Sequence, residues 1–211
     1  MEHWSEYTRF FTALLVILNP FGALPIFLTV TQGYSRESRA RAAFTASLAA
    51  AAVLVLAAFA GESLLRGMGS SLASFRVGGG LVLLIMALAM LRGEQDQVRA
   101  TATETSEAEA KDAIAVVPVA IPLLAGPGAI STVVIEMHRG SGVYHVAVVL
   151  AVILVLCVVI WWVLRLAGPI SARLGPIGLN IINRLFGLVL AAIAVEIMAN
   201  GLRELFPLLA G

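Results

Sequence analysis

Apolar and polar positions fall in long blocks along this chain. Apolar runs cover residues 10–30, 44–61, 77–91, 114–135, 146–166 and 185–205, with polar stretches between them. Most approach the roughly 20 residues that a bilayer core requires of a helix, so the pattern predicts six transmembrane spans. Two of the six carry helix breakers near their middles. The first contains Asn19, Pro20, Gly22 and Pro25, and the fourth contains Pro118, Pro122, Gly126, Pro127 and Gly128. A proline within a helix removes a backbone donor and crowds the carbonyl four residues back, so Pro20, Pro25 and Pro127 strand the carbonyls of Val16, Phe21 and Leu123. In hydrocarbon, such groups are tolerated only where protein or a wet cavity receives them. The breaks therefore predict cavity-lining segments, with second half-helices beginning near the midplane at Asn19 and Pro20 and at Gly126 and Pro127.

Composition agrees with a membrane protein and excludes a soluble domain of this length. Of 211 residues, 60% are hydrophobic and 13% charged, and the mean hydropathy is +0.95. Glu2, His3 and Glu6 precede the first run where a signal peptide would be basic, so the first span is expected to be retained. The net charge of +1 says little, but the distribution of basic residues orients the chain. Six spans place Arg36, Arg39, Arg41, Arg92, Arg99, Lys111, Arg165, Arg173 and Arg184 on one face, and Arg9, Arg66, Arg76, Arg139 and Arg203 on the other. The richer face belongs in the cytoplasm, which puts both termini outside. Trp161 and Trp162 before Arg165, and Trp4 and Tyr7 before the first span, suit the membrane interfaces. Basic residues scattered along the membrane edge give no support to nucleic-acid binding. Cys157, the single cysteine, rules out an intrachain disulfide and reads as a packing residue.

The connections carry their own signals. Ser35 is placed to cap a helix running through Arg36, Arg39 and Arg41, which read as a solvated, orienting face. The second span is rich in alanine, and Gly78, Gly79 and Gly80 open the third; small residues of this kind let helices approach closely in lipid or pair two copies as a homodimer. Residues 92–112 read as a polar cytoplasmic linker. His138 and His145 fall in or beside an outer loop, away from any buried ligand set, and residues 168–184 read as a Gly/Pro-rich cytoplasmic turn.

The two halves also resemble each other. At an offset of about 107 residues, Asn19 and Pro20 fall over Gly126 and Pro127, and Gly61 over Gly168; one further residue places Arg76 over Arg184, Gly79 over Gly187 and Met90 over Met198. The predicted fold is thus an all-α integral membrane protein of two inverted-topology three-helix repeats, residues 1–91 and 113–211 joined by the linker 92–112, with spans one and four broken near the midplane. Paired breaks in inverted halves point to a transporter site. The segments NPFGALPIF and IPLLAGPGAIST resemble the paired motifs of the MarC family, six-span inner-membrane proteins that include neutral amino acid transporters. The resemblance covers almost the whole chain and implies transport of small neutral amino acids.

A half-helix starting at mid-membrane presents free donors and a positive dipole end to a carboxylate, while the half-helix before it presents carbonyls to an ammonium group. Together they suit a zwitterion. The expected pocket comprises Asn19, Pro20, Phe21 and Gly22 with Gly126, Pro127, Gly128, Ser131 and Thr132. Glu196, an acid well inside the sixth run, is the candidate for a coupling proton because intramembrane acids are costly without a function; the rival reading slides the span outward and makes it an ordinary interfacial acid beside Asn200 and Arg203. No metalloprotease, nucleophile-elbow or phosphate-loop motif occurs, so no enzymatic activity, metal or cofactor is expected. The rival readings are a non-transporting scaffold, whose breaks only bend helices, and an exporter of lipids or drugs.

Overall fold

The computed structural model describes residues 2–67, 69–93, 124–140 and 142–207. Its elements are all helical: α1 (Glu2–Leu18), α2 (Leu24–Val30), α3 (Arg36–Gly67), α4 (Leu72–Arg92), α5 (Pro127–Met137), α6 (Val143–Arg165) and α7 (Ala167–Leu205). Four of them, at residues 36–61 within α3 and in α4, α6 and α7, are long and apolar enough to cross a membrane. The central linker from residue 94, with Arg99 and Lys111, and the start of the fourth run, with Pro118 and Pro122, lie outside the described residues.

Local chemistry sets the helix starts. The Ser35 hydroxyl accepts from the Ser38 N–H at 3.1 Å, capping α3 as its sequence predicts, and Ser71 does the same for α4 through Ser74 at 3.0 Å. Arg39 departs from the expected solvated face. Its guanidinium reaches back 3.2 Å to the Thr31 carbonyl at the end of α2, where the helix dipole favours a cation. Residues 168–184 also differ from the expected turn. They are helical apart from Gly175, whose φ of 61° and ψ of 178° suit only glycine, and Pro176 follows as the first residue of the continuing helix, where its missing N–H costs nothing.

Within the bundle, α3 turns Ala42, Ala43, Ala46, Ala50 and Leu54 inward, all fully buried, and presents Phe44, Leu48, Leu56 and Phe59 outward at more than half exposure. α6 buries Val149, Ile153, Leu156, Ile160 and Cys157 in the same way. Large apolar side chains facing outward along whole helices suit lipid as the surrounding medium. Each of α1, α3 and α4 packs most extensively against a helix of the second half, α5, α6 and α7 respectively. The α4–α7 contact is antiparallel and tight. A Cβ built on Gly201 would lie 2.8 Å from the Ala73 carbonyl, one on Gly80 3.0 Å from that of Ala194, and one on Gly187 3.1 Å from that of Ala87. In the last two contacts both partners differ by a shift of 107 residues. Gly79 meets Ser131 of α5, whereas Gly78 has nothing within 4 Å. Two of the three successive glycines thus serve close packing.

Candidate functional site

The first break is built around Asn19. Its backbone is left-handed, with φ of 40°, a conformation that asparagine tolerates better than most residues. The side-chain Oδ1 accepts from the Gly22 N–H at 3.1 Å, and Nδ2 donates to Asn183 Oδ1 of α7 at 3.2 Å. The helix therefore restarts at Leu24 with Pro25 in its first turn, four residues later than Pro20, because Asn19 closes a turn instead of capping a helix directly. The Phe21 carbonyl that Pro25 would strand is taken by the Leu24 N–H at 3.2 Å. Phe21 packs edge-on against Phe186, with ring centroids 6.2 Å apart. Gly22 leaves no room for a side chain, since a Cβ there would overlap the Asn19 amide and stand 3.0 Å from Asn183 Oδ1.

The second break is built as its sequence predicts. Gly126 is extended, Pro127 opens α5, and the Ile130 N–H returns to the Gly126 carbonyl at 3.1 Å. Gly128 lies beneath Leu83, 2.5 Å from where a Cβ would stand. Ser131 and Thr132 are both buried, and the Thr132 hydroxyl donates to the Gly128 carbonyl at 2.9 Å.

A cavity of about 840 Å³ opens between the start of α1, the start of α4, the end of α5 and the end of α7. Thr8, Arg9 and Thr12 line it from α1, Arg76 from α4, Thr132 and Glu136 from α5 with Arg139 just beyond, and Glu196, Asn200, Arg203 and Glu204 from α7. Phe10, Ala13, Ile135, Val189, Ile193 and Ile197 supply apolar wall. Of the expected site residues, the cavity takes in Thr132 and Glu196. Asn19, Phe21 and Gly22 instead gather against Asn183 and Phe186, Gly128 and Ser131 pack against α4, and Pro20, Gly126 and Pro127 also lie outside the cavity lining.

Among the described residues three ion pairs lie in the cavity, two of them between elements. Arg9 pairs with Glu196 at 3.3 Å, joining α1 to α7; Arg76 pairs with Glu204, joining α4 to α7; and Arg139 pairs with Glu136 at 3.3 Å. Arg203 has no ion pair among the described residues. The Arg9 and Glu196 side chains are 71% and 60% exposed, so their pair is worth at most about 1 kcal/mol. Glu136 is different. Only 4% of it is exposed, and its main-chain carbonyl accepts from His145 Nε2 at 3.0 Å, while His145 Nδ1 takes the Tyr7 hydroxyl at 2.9 Å. His145 lies in the first turn of α6, beside the outer loop, but it is buried there, because Gly140 lets the preceding turn fold over the imidazole. Among the described residues no group of three or more His, Cys, Asp or Glu is placed to hold a metal ion.

Glu136, Asn183 and the arginines of the cavity are among the residues that sequence reasoning did not assign to a site. The arginines had a signal, because Arg9, Arg76, Arg139 and Arg203 share a predicted face. Asn183 had none, since it lies in a stretch that reads as a turn.

Residues 4–206 match the model of the MarC family integral membrane proteins. The chain belongs to the MarC family. It is 37% identical over 193 residues to a UPF0056 membrane protein of Methanocaldococcus jannaschii, covering 92% of this chain and 94% of that one. It is 32% identical over 204 residues to the UPF0056 membrane protein YhcE of Escherichia coli, covering 95% and 94%, and 34% identical over 207 residues to a UPF0056 membrane protein of Aquifex aeolicus, covering 96% and 97%. No solved structure matches it. MarC membership covers both interrupted segments and the charged end of α7.

Proposed function

We propose that this MarC protein is a secondary transporter of small neutral amino acids such as glycine and alanine, coupled to an ion or proton and placed in the bacterial inner membrane with both termini outside. The observation that carries the reading is the cavity. It runs from a rim of charged side chains to Thr132, in the second turn of the half-helix that starts at Gly126 and Pro127. A wet path from one surface to an interrupted helix is what a solute needs in order to reach a site between two halves. A scaffold that only bends its helices needs no such path.

The helix pairing supports six spans arranged as two inverted repeats. α1, α3 and α4 favour α5, α6 and α7, and the Gly80–Ala194 and Gly187–Ala87 contacts interchange under a shift of 107 residues. Such reciprocity is what a pseudo-two-fold axis in the membrane plane produces. Four of the five arginines expected outside line the cavity, so on this reading it opens outward.

Purified protein in proteoliposomes should take up radiolabelled glycine and alanine saturably, with uptake competed by an excess of the unlabelled amino acid. Absence of uptake by folded protein across a panel of small neutral amino acids would reject the reading in favour of a scaffold or an exporter.

A further inference from the structure

Glu136 stands apart from the other acids of the cavity. Its side chain is 6% exposed, against 60% for Glu196 and 48% for Glu204. A carboxylate held that far from water is costly unless it is paired, and ionisable groups kept in such positions within membrane proteins mark ion and proton paths. Its ion-pair partner is Arg139, three residues on and 37% exposed, 3.3 Å from Oε2.

Among the described residues no side chain of the other elements hydrogen-bonds to the carboxyl group, whose partner is Arg139. From α6, His145 is committed to the Glu136 main-chain carbonyl and to Tyr7. From α1, Glu6 lies within electrostatic reach and Arg9 is paired with Glu196. α3 meets α5 nearby through the uncharged contact of Gly61 with Val134. Across the cavity stand Arg76, paired with Glu204, and Arg203. Thr132 is one turn before Glu136 on the same half-helix, so the acid and the interrupted segment belong to one element.

We propose that Glu136 is the residue that carries the coupling proton, an inference that rests on the transporter reading. With Glu136 ionised, the cavity holds four arginines against three glutamates. The carboxylate takes a proton from cavity water and becomes a neutral acid. Arg139 then loses its counter-charge and joins Arg203 as a second unmatched guanidinium facing the solute. A zwitterion presents its carboxylate to this more positive cavity, so proton and amino acid bind together and cross in the same direction. When the site faces the other side, the solute leaves and the acid returns its proton to the water there. Glu196 suits this task less well, because its pair with Arg9 is mostly exposed and water already screens it.

The test uses full-length protein in proteoliposomes, with radiolabelled glycine followed in two modes. Accumulation driven by an imposed pH gradient requires the proton, whereas counterflow exchange at equal pH does not. Glu136→Gln should lose at least ten-fold in gradient-driven accumulation while keeping counterflow within two-fold of wild type, and Glu196→Gln should keep its response to the pH gradient. Glu136→Asp, which retains an acid on a shorter arm, should shift the pH midpoint of accumulation. Full accumulation by Glu136→Gln, loss of both modes in that variant when folded, or an unshifted midpoint in Glu136→Asp would each overturn the proposal. Wild-type counterflow without any response to the gradient would overturn it while leaving transport standing. A wild-type protein that moves no glycine in either mode would instead defeat the transporter reading beneath it.

Discussion

At Asn19 a single side chain closes the turn between α1 and α2, its Oδ1 accepting from the Gly22 N–H while its amide nitrogen reaches Asn183, on a left-handed backbone. These roles separate by substitution. Asn19→Gly keeps the left-handed backbone but leaves a buried N–H without its acceptor, which should cost about 1–3 kcal/mol. Asn19→Ala loses the same bond and adds strain at positive φ, about a further 1 kcal/mol. Thermal unfolding in detergent should rank wild type above the glycine variant and the glycine variant above the alanine one. Equal midpoints for the two variants would mean that the left-handed turn is not imposed by the fold. This residue also shows what was legible locally. That the first run is broken here follows from its prolines, but that the helix resumes only at Leu24 depends on an Asx turn whose partner, Asn183, lies 164 residues away.

Among the elements, the pairing of α4 with α7 holds the two halves together by backbone proximity, and its three glycine contacts run in antiparallel register from Gly201 to Gly187. The glycine triplet offers an internal control. Gly78→Ala meets nothing within 4 Å and should raise helix stability by up to about 1 kcal/mol. Gly80→Ala pushes a methyl group into the Ala194 carbonyl and Met198, and should cost about 1–3 kcal/mol as an overpacked contact. Gly187→Ala should resemble Gly80→Ala, because a Cβ there would stand 3.1 Å from the Ala87 carbonyl, much as one on Gly80 meets that of Ala194. Melting temperatures of the three variants test this, and a destabilised Gly78→Ala with a neutral Gly80→Ala would contradict the observed register. The positions of α3, α4 and α6 were legible because unbroken apolar runs of bilayer length have few other solutions. The kink at Gly175 was less so, since Gly-Pro reads equally as a loop or as a helix end followed by a new first turn, and only packing chooses between them.

For the whole molecule, the charged cavity is a product of tertiary arrangement. Arg9, Arg76, Glu136 and Glu196 are far apart in sequence, and no local pattern says that they share one space. Glu136 was hidden for a related reason. It sits one residue beyond an apolar run, where an acid ordinarily meets water, and it is buried because α1 and α6 close over that end of α5. Thr132 was legible as a site residue from its place after the Gly126 and Pro127 break, and of the cavity's lining residues it is the one nearest that break in sequence. Its accessibility therefore reports on how the whole protein sits in the membrane. A Thr132→Cys variant in intact spheroplasts should react with a charged, membrane-impermeant thiol reagent added outside, whereas the parent protein, whose Cys157 is buried in the bundle, should not. Added glycine should slow that labelling if the solute enters the same space. Labelling from inside-out vesicles alone would reverse the orientation assigned from the arginines and make the cavity a cytoplasmic one.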